Sequence, residues 1–81
     1  MRLGEQKTRP DEILAMARNI RALRVHYGLS QVVVADLAGI SPSVLADIES
    51  GVTWNPGLFT IINIARALDT TLSVLLKDEI R

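Results

Sequence analysis

The stretch from Leu29 to Gly51, LSQVVVADLAGISPSVLADIESG, carries start and stop signals for two short helices in succession. The Ser30 hydroxyl can accept a hydrogen bond from an otherwise unpaired amide one turn on, which predicts a helix from Gln31 to Ala38. Gly39 stands where the chain must stop and reverse, and glycine takes a left-handed backbone without a Cβ clash. Ser41 is placed to cap a second helix. Pro42 takes that helix's first position, where a missing N–H is harmless. Gly51 follows directly on the expected end near Ser50.

The apolar spacing agrees with this punctuation. Val34 and Ala38 fall one turn apart on one face of the first of these helices, and Leu45 and Ile48 do the same on the second. Ile40 lies in the turn, where it can plug the corner, and the small Ala35 lets two backbones cross closely. The pattern is that of a helix-turn-helix, whose second helix is commonly presented to a DNA major groove. With Leu45 and Ile48 facing inward, Ser43, Val44 and Asp47 point outward.

Around this unit the chain reads as all-α. A long first helix is predicted from Asp11 to Tyr27, with Asp11 and Glu12 in its first turn, where negative charge suits the helix dipole. Ile13, Ala17, Ile20, Leu23 and Tyr27 form its apolar stripe, and Gly28 ends it. Val52 to Pro56 form a loop. A fourth helix follows from about Leu58 to Leu68, with Leu58, Ile61, Ile62, Ala65 and Leu68 on one stripe and Phe59 and Ile64 extending it. Thr71 is a cap for a fifth helix starting near Leu72. Leu72 and Leu76 are expected to complete the core, which leaves Leu75 and Ile80 for a dimer seam.

At 81 residues this is one small domain, and 48% apolar residues suffice for an aliphatic core. There is no cysteine, hence no disulfide framework and no thiolate site. The formal net charge is zero, unlike that of most nucleic-acid binders, but its distribution is uneven. Residues 1–30 hold six basic and three acidic side chains, a net of +3, and residues 31–81 carry the balancing −3. A phosphate-binding face must therefore draw on the N-terminal part. Residues 1–10, MRLGEQKTRP, read as a flexible basic arm carrying Lys7 and Arg9. It is either a solvated terminus or an arm across the phosphate backbone.

The chain resembles the lambda-repressor-like DNA-binding domains of the Cro and cI type. The resemblance is carried by Ile20, Arg21, Leu23 and Arg24, by Gly28-Leu29-Ser30-Gln31, and by Ala35, Gly39, Ile40, Ser41, Ile48, Glu49 and Gly51. It continues through Asn55-Pro56, Ile64-Ala65, Ala67-Leu68, Leu72, Leu75 and Leu76, and so covers roughly residues 18–76. The resemblance implies a compact five-helix domain over residues 11–81 that binds double-stranded DNA, usually as a homodimer. It implies an ion pair between Arg24 and Glu49 that is structural. It places base contacts at Pro42, Ser43, Val44 and Asp47, beside Ser41, and a phosphate contact at Gln31. Ser50, Thr53, Asn55, Arg18 and Arg21, with Lys7 and Arg9 of the arm, complete the expected phosphate set. The loop after the third helix lies near the DNA backbone and the second subunit in such domains. Trp54 is thus either folded over the core edge or a dimer anchor.

Two departures stand out. Between Pro42 and Ser50 there is no Arg, Lys, Asn or Gln, the side chains that make paired bonds to guanine or adenine. What remains is a serine hydroxyl suited to either kind of base edge, a valine suited to a thymine methyl, and Asp47. That carboxylate accepts from a cytosine amine and repels phosphates. Secondly, Val32, Val33 and Leu37 are apolar beyond what the core face needs. Packing on the arm or first helix is the expectation, and a protein partner is the alternative.

Nothing points to catalysis or to a cofactor. The single histidine, His26, reads as a surface residue near a helix C-terminus, where histidine is favoured, and no residues have metal-ligand spacing. The glycines are scattered helix punctuation, not a phosphate-cradling loop. The apolar runs fall short of the roughly 18 residues that span a bilayer, and no cleavable leader is visible, so a cytoplasmic location is expected. The expectation is a sequence-specific DNA-binding transcriptional regulator, most simply a repressor. The alternative is a protein-interaction or antitoxin-like module on the same fold.

Overall fold

The computed structural model describes residues 11–53 and 55–77, which form five α-helices and no strand: α1 (Asp11–His26), α2 (Gln31–Ala38), α3 (Pro42–Glu49), α4 (Leu58–Ala67) and α5 (Leu72–Leu75). The arm with Lys7 and Arg9, Trp54 and Ile80 lie outside the described residues.

The helix starts follow from local chemistry. The Ser30 hydroxyl accepts from the Val33 amide at 3.1 Å, Ser41 from Val44 at 3.2 Å and Thr71 from Val74 at 3.3 Å. Each satisfies an amide that has no partner inside its own helix. Between α2 and α3, Gly39 takes φ 72°, which lets the Ile40 amide reach back to the Ala35 carbonyl at 2.9 Å. The end of α4 uses the same device without glycine. Asp69 sits at φ 54°, and the Thr70 amide donates to Ala65 O at 2.8 Å. Asp is among the few L residues that tolerate this region.

Met16, Ile20, Val34, Ala35, Ala38, Leu45, Ile48, Ile61, Ile64, Ala65, Leu68 and Leu75 make one buried cluster. The short side chains Ala35 and Ala38 on α2 and Ala65 on α4 permit close approach, and α2 packs most extensively against α4 and α3. α1 lies against α3 and α5, and α4 also meets α5. Ile40 plugs the corner from a half-buried position.

The packing corrects several sequence expectations. Leu75 is fully buried and Leu76 is 39% exposed, so Leu75 completes the core and cannot be a dimer seam. The four residues of α5 are too few for apolar spacing to define a face; docking against α1 and α4 decides it. Tyr27 lies in the turn past α1, exposed, because the helix ends at His26. Leu58 and Phe59 are also exposed, since only Ile61, Ile64 and Ala65 of α4 turn fully inward. Val32, Val33 and Leu37 are exposed and not covered by α1, α2's buried face being filled by Val34, Ala35 and Ala38; the arm, their other expected cover, lies outside the described residues.

Asn19, passed over in the sequence, is 1% exposed. Its Nδ2 donates to the carbonyls of Leu75 at 2.9 Å and Lys77 at 2.6 Å. It thereby ties α1 to the end of α5, where helical carbonyls lack internal partners. Asn19→Ala is expected to destabilise the fold by about 1–3 kcal/mol, since it strands both acceptors. Urea unfolding checks the magnitude. Native-state amide exchange should show α5 opening more often than α2.

Candidate nucleic-acid interface

α2 and α3 bend through 109° at the break between them, within the range of a helix-turn-helix. α3 turns Leu45 and Ile48 into the core. Ser41, Pro42, Ser43, Val44 and Asp47, the five residues expected to face bases, are all exposed.

Their hydrogen bonds divide the work. The Ser41 oxygen is engaged by the Val44 amide and lies 3.2 Å from the Ser43 hydroxyl, so these two serines form a pair at the head of α3. The Asp47 main-chain carbonyl accepts from the Ser50 hydroxyl at 3.1 Å and from the amides of Val52 at 3.1 Å and Thr53 at 3.4 Å. The residue therefore anchors the turn after α3 through its backbone, and its carboxylate remains outside that network. Ser50 already commits its proton locally, leaving its lone pairs for other partners.

Behind this face the ion pair has the implied partners and a closer geometry than an isolated bridge. Arg24 Nε donates to Glu49 Oε2 at 2.7 Å and Nη2 to Oε1 at 3.0 Å, while Nη1 donates to the Leu29 carbonyl at 2.9 Å. The side chains are 14% and 4% exposed. The hydrogen bond to Glu49 raises the Arg24 pKa above its ordinary value against the opposing effect of burial. The pair clamps α1 to the last turn of α3 and to the entry of α2.

Gln31 extends the clamp. Its Nε2 donates to Glu49 Oε1 at 3.1 Å, so the first side chain of α2 is held to the last of α3. Nothing in the sequence spacing announces this bond. Arg21, Arg24, Gln31, Ala46, Glu49 and Ser50 line an open cleft of about 340 Å³. Three of the residues expected to hold phosphate, Arg21, Gln31 and Ser50, are thus brought together. Arg18 is exposed on α1; Thr53 is half-buried and Asn55 exposed in the following loop. Ala46 is the lining residue that sequence reasoning missed; its shortness leaves the cleft open. Among the described residues no cluster of His, Cys, Asp or Glu is grouped to hold a metal ion, and no single helix is long and apolar enough to cross a membrane.

Comparison with known proteins gives a consistent picture. Residues 20–75 match the family model described as helix-turn-helix. The immunity repressor protein of Bacillus phage phi105 is 36% identical over 66 residues, which cover 82% of this chain and 45% of the phage protein. The chain thus matches less than half the length of that relative. The crystal structure of the restriction-modification controller protein C.AhdI from Aeromonas hydrophila superposes with a TM-score of 0.75 at 32% identity, covering 82% of this chain and 98% of that one. The clp gene regulator ClgR from C. glutamicum shares the fold with a TM-score of 0.76 at 20% identity, over 88% of this chain and 90% of its own.

Proposed function

This chain belongs to the lambda-repressor-like helix-turn-helix family of DNA-binding transcriptional regulators, and from that premise we propose that it acts as a small repressor, occupying operator DNA with α3 in the major groove. The observation that carries the proposal is the solvent face of α3, set at 109° to α2 by a capped turn and backed by buried Leu45 and Ile48. Ser41, Pro42, Ser43, Val44 and Asp47 sample base edges in this reading. Gln31 and Ser50, Arg18 and Arg21 of α1, and Thr53 and Asn55 hold the backbone, joined by Lys7 and Arg9 of the arm. A two-fold homodimer sets two copies of α3 about 34 Å apart on one DNA face. Repression then follows from steric occlusion of a promoter, without catalysis.

Selection from a random duplex library at two salt concentrations tests the proposal. Recovery of a palindromic motif supports a dimeric reader, and an asymmetric site points to a monomer. No enrichment at either salt favours the other reading, a protein-interaction module. The exposed apolar side chains Val32, Val33 and Leu37 of α2 support that reading. DNA affinity should fall steeply with salt through counterion release, whereas an apolar protein contact should change little.

A charge reversal probes the face directly. Asp47→Arg removes a carboxylate that repels phosphates and adds a cation. Non-specific affinity at low salt is expected to rise by about tenfold, and the log–log salt slope to steepen by about 0.9 for one added phosphate contact. Titration of a random duplex at several salt concentrations reads both. An unchanged slope argues that α3 does not face DNA.

A further inference from the structure

We propose that Asp47 is the specificity-determining residue of α3 and selects cytosine in the operator, with Val44 seated on a thymine methyl one or two base pairs away. The assignment rests on the reading of α3 as the groove-facing helix.

Its first support is geometric. Burial of Leu45 and Ile48 fixes the rotation of α3, so Val44, on the flank of the buried face, and Asp47, further round, are neighbouring exposed side chains. They are one helical turn apart, about 4.5 Å along the axis. Base pairs rise by about 3.4 Å, so the two side chains meet neighbouring or next-neighbouring pairs.

The second support is the state of the carboxylate. Beyond the helix ladder Asp47 bonds only through its main-chain carbonyl, and its carboxylate has no hydrogen bond or ion pair among the described residues. A carboxylate carried into the major groove loses water and must meet a donor there. Phosphates offer none. Guanine shows two acceptors and thymine an acceptor and a methyl, so both are rejected. Only the amines of cytosine and adenine remain. The adenine amine is flanked by the N7 acceptor on its own ring, which repels the second carboxylate oxygen. The cytosine amine has a C–H edge on that side. Cytosine is therefore preferred. Val44, 42% exposed and apolar, has nothing to bond in the groove and fits the one apolar group displayed there, the thymine methyl.

The test is selection and sequencing with the full chain as wild type, Asp47→Asn and Val44→Ala. Both positions are exposed, so the fold is expected to survive, and circular dichroism checks this. Wild type should enrich one cytosine column per half-site by about tenfold over the other bases. Asp47→Asn should convert that column to adenine, because an amide pairs a donor and an acceptor with adenine N7 and N6. Val44→Ala should flatten only the neighbouring thymine column. Replacing that thymine by deoxyuridine, which lacks the methyl, should weaken wild type and leave Val44→Ala unaffected. A wild-type motif that Asp47→Asn leaves unchanged in every column overturns the assignment while the regulator reading stands. Absence of any wild-type motif overturns both.

Discussion

Replacing Glu49 by alanine is expected to lower the unfolding free energy by about 3–5 kcal/mol, as breaking one side of a buried ion pair does. The physical reason lies in what is left behind. Arg24 keeps its charge, held 14% exposed between α1 and α3, and loses two of its three bonds. Gln31 loses its tether at the same time. A single domain of this size holds roughly 0.05–0.15 kcal/mol per residue, so the loss is a large part of the whole. Each kcal/mol should lower Tm by roughly 4–8 °C. Urea unfolding of the single variants and of Arg24→Leu/Glu49→Leu separates pairing from packing. The double variant is expected to regain most of the lost stability, because an apolar pair requires no desolvation of charge. A loss below about 1 kcal/mol for Glu49→Ala would instead mean that the pair behaves as a surface bridge.

The elements that were legible from the sequence share a property: their cause lies within a few residues. Ser30, Ser41 and Thr71 cap the helices that follow them, and Gly39 takes the left-handed turn; each needs only its near neighbours. The core faces of α2 and α3 were legible because one turn of apolar spacing defines them. Asn19 was not, because the carbonyls it serves lie 56 and 58 residues away. An asparagine beside buried Ile20 looks like an interruption until α5 is docked. Arg24 and Glu49 became a pair through family resemblance, since 25 residues of chain separate them. The bond from Gln31 to Glu49 had no local signal either. On the candidate site, the outward face of α3 could be read once Leu45 and Ile48 were assigned inward. The convergence of Arg21, Gln31 and Ser50 on one cleft required the packing of α1 against α3 and of α3 against α2.

Leu75 and Leu76 provide the second large effect, and a contrast between adjacent identical side chains. Leu75→Ala is expected to cost about 2–5 kcal/mol, the range for a buried leucine whose cavity the surroundings only partly fill. Leu76→Ala should cost under about 1 kcal/mol, as substitutions near the surface do. The asymmetry follows from burial of 0% against 39% exposure. Leu75 belongs to the cluster that includes Ile20 and Leu68, whereas Leu76 lines a shallow groove with Asp11, Glu12 and Ala15. Loss of Leu75 also loosens α5, whose end carries the Leu75 carbonyl that Asn19 binds. A four-residue helix has no independent stability, so docking and local order fail together. Urea unfolding should therefore separate the two variants by several-fold in destabilisation. Sedimentation at concentrations where both remain folded should show no change in association that tracks Leu75. If Leu75→Ala left stability intact and altered only self-association, its side chain would have to lie at a subunit seam, and the packing of α5 against α1 and α4 would be wrong.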